Sequence, residues 1–108
     1  MPFDLLTVAL SLPALARKLL EKIAACDPDL ARQGRKAITS VPLNVAEGRQ
    51  RAGRDRAHHY RVALGSAAEI DAVVEIAIGL GYVDRPECTE LLAALDRVRA
   101  MAWRAAAR

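Results

Sequence analysis

Apolar side chains return every three or four residues along nearly the whole chain, and three short interruptions are all that break the rhythm. That spacing matches the helical period of 3.6 and lines the apolar residues up on one face of a helix. A strand would need alternation at a period of two, with clusters of Thr, Tyr, Phe and Trp, and such clusters are missing. The chain therefore reads as all-α.

The first predicted helix covers about residues 4–25, with Leu5, Ala9, Leu12, Ala16, Leu19 and Ile23 on one face. Pro13 lacks an N–H and meets the carbonyl of Ala9, so the helix either kinks there or begins near Leu12. Asp27-Pro28 restarts the chain, with Asp as N-cap and Pro at the first helical position. The second predicted helix runs to about Gln50 along Leu30, Gly34, Ile38, Val41 and Val45, with a kink expected at Pro42. Gly48, Gly53 and the arginines between them mark a turn. The third covers about 54–80 and carries two apolar stripes, Tyr60/Ala63/Ala67/Ile70/Val74/Ala77 and Val62/Ser66/Val73/Ile76/Leu80. A helix apolar on two sides is covered on both, which here implies the core on one side and a neighbouring subunit on the other. Gly79, Gly81, Asp84 and Pro86 punctuate the last turn, and the fourth helix, about 87–107, uses Leu91, Leu92, Leu95, Val98 and Ala102. Four such helices with short turns fold by default as an antiparallel up-down-up-down bundle, and the 108 residues make a single domain, 1–108.

Composition fills in the core. Hydrophobic residues make up 53% of the chain and aromatics only 4%, so the core should be aliphatic and closely packed. No apolar run approaches the roughly 20 residues of a membrane span, and the N-terminus lacks the pattern of a signal peptide. The expected location is the cytoplasm, with no membrane partner. Cys26 and Cys88 suit a reducing compartment. They fall at the same end of the bundle, where a disulfide is conceivable in geometry but disfavoured by that compartment.

The formal net charge is +3, but its distribution is uneven: residues 32–61 hold eight basic and two acidic side chains, residues 62–96 one basic and seven acidic, and residues 97–108 four arginines and no acid. Blocks of this kind mark nucleic-acid contact or electrostatic pairing with a partner. In the antiparallel bundle the second turn and the C-terminus share an end. That end collects Arg49, Arg51, Arg54, Arg56 and Arg61 with Arg97, Arg99, Arg104 and Arg108, while Asp27, Asp29, Asp84, Glu87 and Glu90 gather at the other. Arginines at a helix C-terminus suit the helix dipole; Arg54, Arg56 and Arg61 sit near an N-terminus, where cations are disfavoured, and point to an anionic partner.

The stretch Ser40-Val41-Pro42-Leu43-Asn44-Val45-Ala46-Glu47-Gly48 resembles the S-I-P-x-N-I-A-E-G signature of a bacterial family of four-helix bundles. These proteins were first met as open reading frames in intervening sequences of 23S rRNA genes, and the family includes the accessory variability proteins of diversity-generating retroelements. Upstream, Leu30, Gln33, Arg35 and Ala37 resemble its lead-in; downstream, Ala63-Leu64-Gly65-Ser66 with Glu69 resembles its A-x-G-S-x-x-E segment, and Leu80-Gly81-Tyr82 its following turn. The resemblance covers about residues 30–83. Residues 1–29 depart from the pattern, because the family's first helix is usually longer and carries aromatics. The resemblance implies a bundle assembled as a ring, commonly a pentamer; it implies binding to nucleic acid or to a reverse transcriptase in the retroelement members, and for most members no established activity.

Ser40, Asn44 and Glu47 share a face of the second helix, and Ser66 and Glu69 of the third can meet them. They are expected to form a structural polar cluster around Pro42, with Glu47 buried and paired to Arg51 at i,i+4. His58 and His59 diverge by about 100° on a helix and lack companions at metal-ligand spacing, so no metal and no cofactor is expected. No nucleophile set, phosphate loop or nucleophile elbow occurs, and nothing argues for an enzyme. The expected function is that of an oligomeric accessory protein binding RNA, DNA or an RNA–protein complex through Arg49, Arg51, Arg54, Arg56, Arg61, Arg97 and Arg104. The alternative is a protein-only scaffold, for example a partner of a reverse transcriptase.

Overall fold

Aspartates open the first two helices. In the computed structural model, which describes residues 4–107, Asp4 caps α1 (Leu5–Cys26) by accepting the Thr7 N–H at 2.8 Å. Asp27 ends α1 and begins α2 (Pro28–Gln50): its N–H reaches the Ile23 carbonyl at 2.7 Å and its carboxylate accepts the Leu30 N–H at 3.1 Å. The other oxygen of Asp27 accepts the Tyr82 hydroxyl at 3.3 Å. One carboxylate thus holds the first turn of the chain to the third. The α3 helix (Gly53–Gly79) has no side-chain cap at Ala52. After a 3-10 turn at Arg85–Cys88, α4 spans Thr89–Ala107.

The helix α1 begins at Leu5, not near Leu12, and continues through Pro13. Pro13 is exposed, and the helix runs on past it although its ring removes one backbone donor. The helix α2 likewise runs unbroken through Pro42. The turn after α3 is a Schellman motif: Tyr82 N–H reaches Ala77 O at 2.9 Å and Gly81 N–H reaches Ile78 O at 3.0 Å. Gly81 has φ +79 there, and Gly53 has φ +59 at the preceding turn, conformations that favour glycine.

Each helix packs on its neighbours in sequence and α1 closes against α4, giving an antiparallel all-α four-helix bundle of 42 × 28 × 18 Å. The core is aliphatic as expected. Leu12, Ile23, Val41, Val45, Ile70, Leu95 and Val98 are fully buried among alanines such as Ala9, Ala31, Ala63 and Ala67, and among the described residues no charged or polar side chain is buried. Of the two stripes on α3 the first is wholly buried, while the second is buried only at Val73; Ile76 is 46% and Leu80 59% exposed. Cys26 is exposed and Cys88 buried, and both are free. No helix among the described residues is long and apolar enough to cross a membrane.

Two glycines let α2 sit close to its neighbours. A methyl at Gly34 would lie 2.8 Å from Leu20 Cδ2, and one at Gly48 would lie 2.7 Å from the ring of Tyr60. Leucine can turn aside, but the Tyr60 ring is 3% exposed and stiff. Gly48→Ala should therefore cost about 1–3 kcal/mol through overpacking, offset by about 0.5–1 kcal/mol of improved helix propensity. A methyl at Gly65 would meet nothing within 4 Å, so Gly65→Ala should show only the second effect. A thermal melt that lowers the midpoint for Gly48→Ala and raises it for Gly65→Ala checks this.

Candidate nucleic-acid interface

The cationic end is assembled from the start of α1, the end of α2, the start of α3 and the end of α4. Arg49, Arg56 and Arg104 line one cleft of about 320 Å³ there, together with Asp4, Tyr60 and Met101. The guanidinium of Arg56 lies over the Tyr60 ring, 5.6 Å from its centroid, a cation–π contact that fixes the direction of the side chain. Arg49 pairs with Asp4 at 3.6 Å. The Asp4 carboxyl is held below its ordinary value, first by the Thr7 backbone N–H and more weakly by Arg49.

Arg51 is spoken for on both sides, by Glu47 at 3.3 Å and Asp55 at 3.1 Å. These bonds raise its already high pKa, the Asp55 bond most. Arg54, Arg56, Arg61 and Arg104 are exposed and form no ion pair among the described residues. Arg49, Arg51, Arg54, Arg56, Arg61 and Arg104 against Asp4, Glu47 and Asp55 leave a surplus of three positive charges at this end. Arg54 and Arg56 stand in the first turn of α3, whose N–H groups have no side-chain cap; backbone and side chains there favour an anion together.

One arginine expected at this end is engaged along the side of the bundle. Arg99 turns to Asp71 of α3 at 3.1 Å. Arg97 is exposed on α4 two turns before Arg104, the same spacing that separates Arg54 from Arg61 on α3. Arg108 falls outside the described residues. At the opposite end the acids are partly answered: Glu87 by Lys22 at 2.8 Å and Asp29 by Arg32.

The polar cluster is smaller than expected, with one unforeseen member. Asn44 Nδ2 donates to Ser40 O at 2.9 Å and Ser40 Oγ at 3.1 Å, and Ser66 Oγ donates to Ser40 Oγ at 2.8 Å. With its amide so engaged, Asn44 Oδ1 accepts from His59 Nδ1 at 3.0 Å. The bonds join α2 to α3 at half-buried positions. Glu47 does not belong to the cluster: its side chain is 52% exposed, because a carboxylate keeps its hydration and finds Arg51 one turn on at the surface. Glu69 is exposed too and borders a shallow hollow with Lys36, Ser40 and Ser66 without bonding to them.

Sequence reasoning also passed over Arg35 and Lys36, which with Arg32, Thr39 and Leu43 line a broad depression of about 620 Å³ on the outer face of α2. The charge count over residues 32–61 contained them, but the end-on view of the turns did not. Trp103, 69% exposed, was missed because nothing local marks it. His58 and His59 meet edge to face, with centroids 5.5 Å apart. Among the described residues no group of three or more His, Cys, Asp or Glu side chains is placed to hold a metal ion.

Fold and surface together define an all-α four-helix bundle with one strongly cationic end. The family model for the 23S rRNA-intervening sequence protein matches residues 10–104, and the chain belongs to that family. No curated protein and no solved structure matches it.

The cluster and the surface pair respond differently to truncation. Asn44→Ala leaves His59 Nδ1 without its partner and Ser40 with Ser66 alone, and should cost about 1 kcal/mol. Glu47→Ala, which removes an exposed pair, should melt as the parent does. Denaturant titrations of the two variants read the difference.

Proposed function

We propose that the protein is a non-enzymatic, oligomeric accessory protein that binds RNA, or an RNA–protein complex, through its cationic end without reading sequence. The observation that carries this reading is the set of exposed, unpaired guanidinium groups of Arg54, Arg56, Arg61 and Arg104 around one end, two of them at a helix start where they oppose the dipole. Such a placement lowers the stability of the free bundle, and an anion answers it. Arginine holds phosphate strongly, often with two bonds, and needs no base edge to do so. The family's description, a protein of 23S rRNA intervening sequences, agrees with an RNA partner. Arg35 and Lys36 extend the positive surface along α2.

Binding of this kind is electrostatic. Its log affinity should fall linearly with log salt, by about 0.7–0.9 per phosphate neutralised. Arg54→Glu, Arg56→Glu and Arg104→Glu together should weaken RNA and duplex DNA alike and flatten the slope by roughly 1 for each phosphate no longer neutralised. Anisotropy titrations at several salt concentrations measure both. Arg51 is the wrong choice for such a variant, since its charge is already matched by Glu47 and Asp55. If the parent protein binds neither nucleic acid at low salt, the protein-only scaffold is the better reading.

Self-association is the second part of the proposal. It is supported by exposed aliphatic side chains on three helices and the turn after α3: Leu10 at 59%, Leu43 at 61%, Ile76 at 46% and Leu80 at 59%. A ring of five would have a mass of about 58 kDa, five times the 11.7 kDa of the chain. Light scattering on a gel-filtration peak should give a multiple of the chain mass; a clean monomer at micromolar concentration refutes assembly.

A further inference from the structure

Trp103 is the most exposed large apolar residue described, at 69%, and it differs in kind from the others, which are all aliphatic. It sits on the last turns of α4, next to Arg104, where it lines a hollow of about 220 Å³ with Arg61, Ala106 and Ala107. Arg61 comes from α3, forms no ion pair among the described residues, and borders the same hollow. The contrast with Tyr60 is informative. Tyr60 is buried and already covered by Arg56 at 5.6 Å, whereas among the described residues no cation or ring lies over the indole of Trp103. An open indole face beside a free guanidinium matches the two parts of one nucleotide, a base to stack and a phosphate to pair.

We propose that Trp103 and Arg61 form a receptor for a single unpaired nucleotide, the base on the indole and the phosphate on the guanidinium. This rests on the nucleic-acid reading above and sharpens it, because phosphate contacts alone do not distinguish paired from unpaired strands and a stacking site does. The ligand class is single-stranded or looped RNA, held by the arginines of the cationic end and singled out at Trp103. Stacking tolerates any base, so the preference is for unpaired structure rather than for sequence.

Trp103 is the only tryptophan of the chain, so intrinsic tryptophan fluorescence reports on it alone. The probes are an oligoadenylate RNA and an RNA duplex of matched length. Oligoadenylate should quench the emission and the duplex should not. Trp103→Ala should weaken oligoadenylate binding by about five- to 150-fold, leaving duplex affinity unchanged, and Trp103→Phe should restore most of the affinity. If Trp103→Ala weakens both probes equally, or neither, while the arginine variants still weaken both, the nucleotide site is overturned and the broader reading stands. If the free protein already emits in the blue and shifts to the red on dilution, a second copy covers the indole and the site is overturned. Absence of any binding by the parent protein overturns the nucleic-acid reading itself.

Discussion

The approach of α3 to α2 across Gly48 is the contact on which the rest of the surface depends. Tyr60 lies against a residue with no side chain, at a distance that excludes even a methyl group. That burial fixes the rotation of α3 about its axis at its first turns. Arg56, one turn before Tyr60, is thereby placed over the ring. His59 is turned to Asn44 and, further along, Ser66 to Ser40. Gly34 repeats the device farther down α2, where Leu20 of α1 and Val73 of α3 close in. A core rich in alanine packs by short interhelical distances, and a helix held that closely has little freedom to roll. The polar bonds between α2 and α3 sit at the rim of this contact and specify its register, since a slip by one residue would part His59 from Asn44 and Ser66 from Ser40 at half-buried positions.

Charge is arranged on top of that frame. Several acids have a cation within reach on a neighbouring element: Glu87 with Lys22, Glu75 with Arg85, Asp71 with Arg99. Partners hold Glu75 and Glu87 below the ordinary carboxylate value of 4.5, the Arg85 and Lys22 bonds being the largest causes. Groups of that sign support the fold above their unfolded pKa and cease to do so as the pH falls through the lowered one. At neutral pH these pairs are therefore intact, and the charges left over include the arginines around the α2–α3 turn and the end of α4, with Arg35 and Lys36 along α2. The surplus is thus a remainder after pairing, located by the fold rather than by the total charge of the chain.

Helix spans, their order and the buried stripe of α3 were legible in the sequence because each depends on spacing along one helix. Asp27-Pro28 and Leu80-Gly81-Tyr82 marked the turns because caps and positive-φ glycines are local chemistry. Pro13 left two readings open, a kink or a start near Leu12, and the helix from Leu5 excludes the second. Glu47 misled: it shares a face with Ser40 and Asn44, yet its longer side chain carries the carboxylate out to water. The pairing of Arg99 with Asp71 was not legible, because block charge does not say which residues of α3 and α4 face each other. Trp103 had no signal in an alanine-rich stretch. Its exposure, and its closeness to Arg61, exist only once α4 is laid against α3.

One bundle presents few unpaired charges, and each phosphate contact at physiological salt is weak on its own. The proposed assembly and the proposed nucleic-acid binding would therefore be linked in physical terms. Bundles packed side by side and pointing the same way would bring their cationic ends to one rim, and a strand bound at one subunit would meet the next at high effective concentration. Bundles packed in opposite directions would instead set each cationic end beside an acidic one, satisfying the surplus within the assembly and leaving nothing for an external polyanion. The direction of packing thus decides between the two readings of the charge pattern. In the first the arginines serve a polyanionic ligand; in the second they serve the neighbouring subunit, and the assembly loses its salt-sensitive affinity for RNA while gaining a salt-sensitive stability of its own.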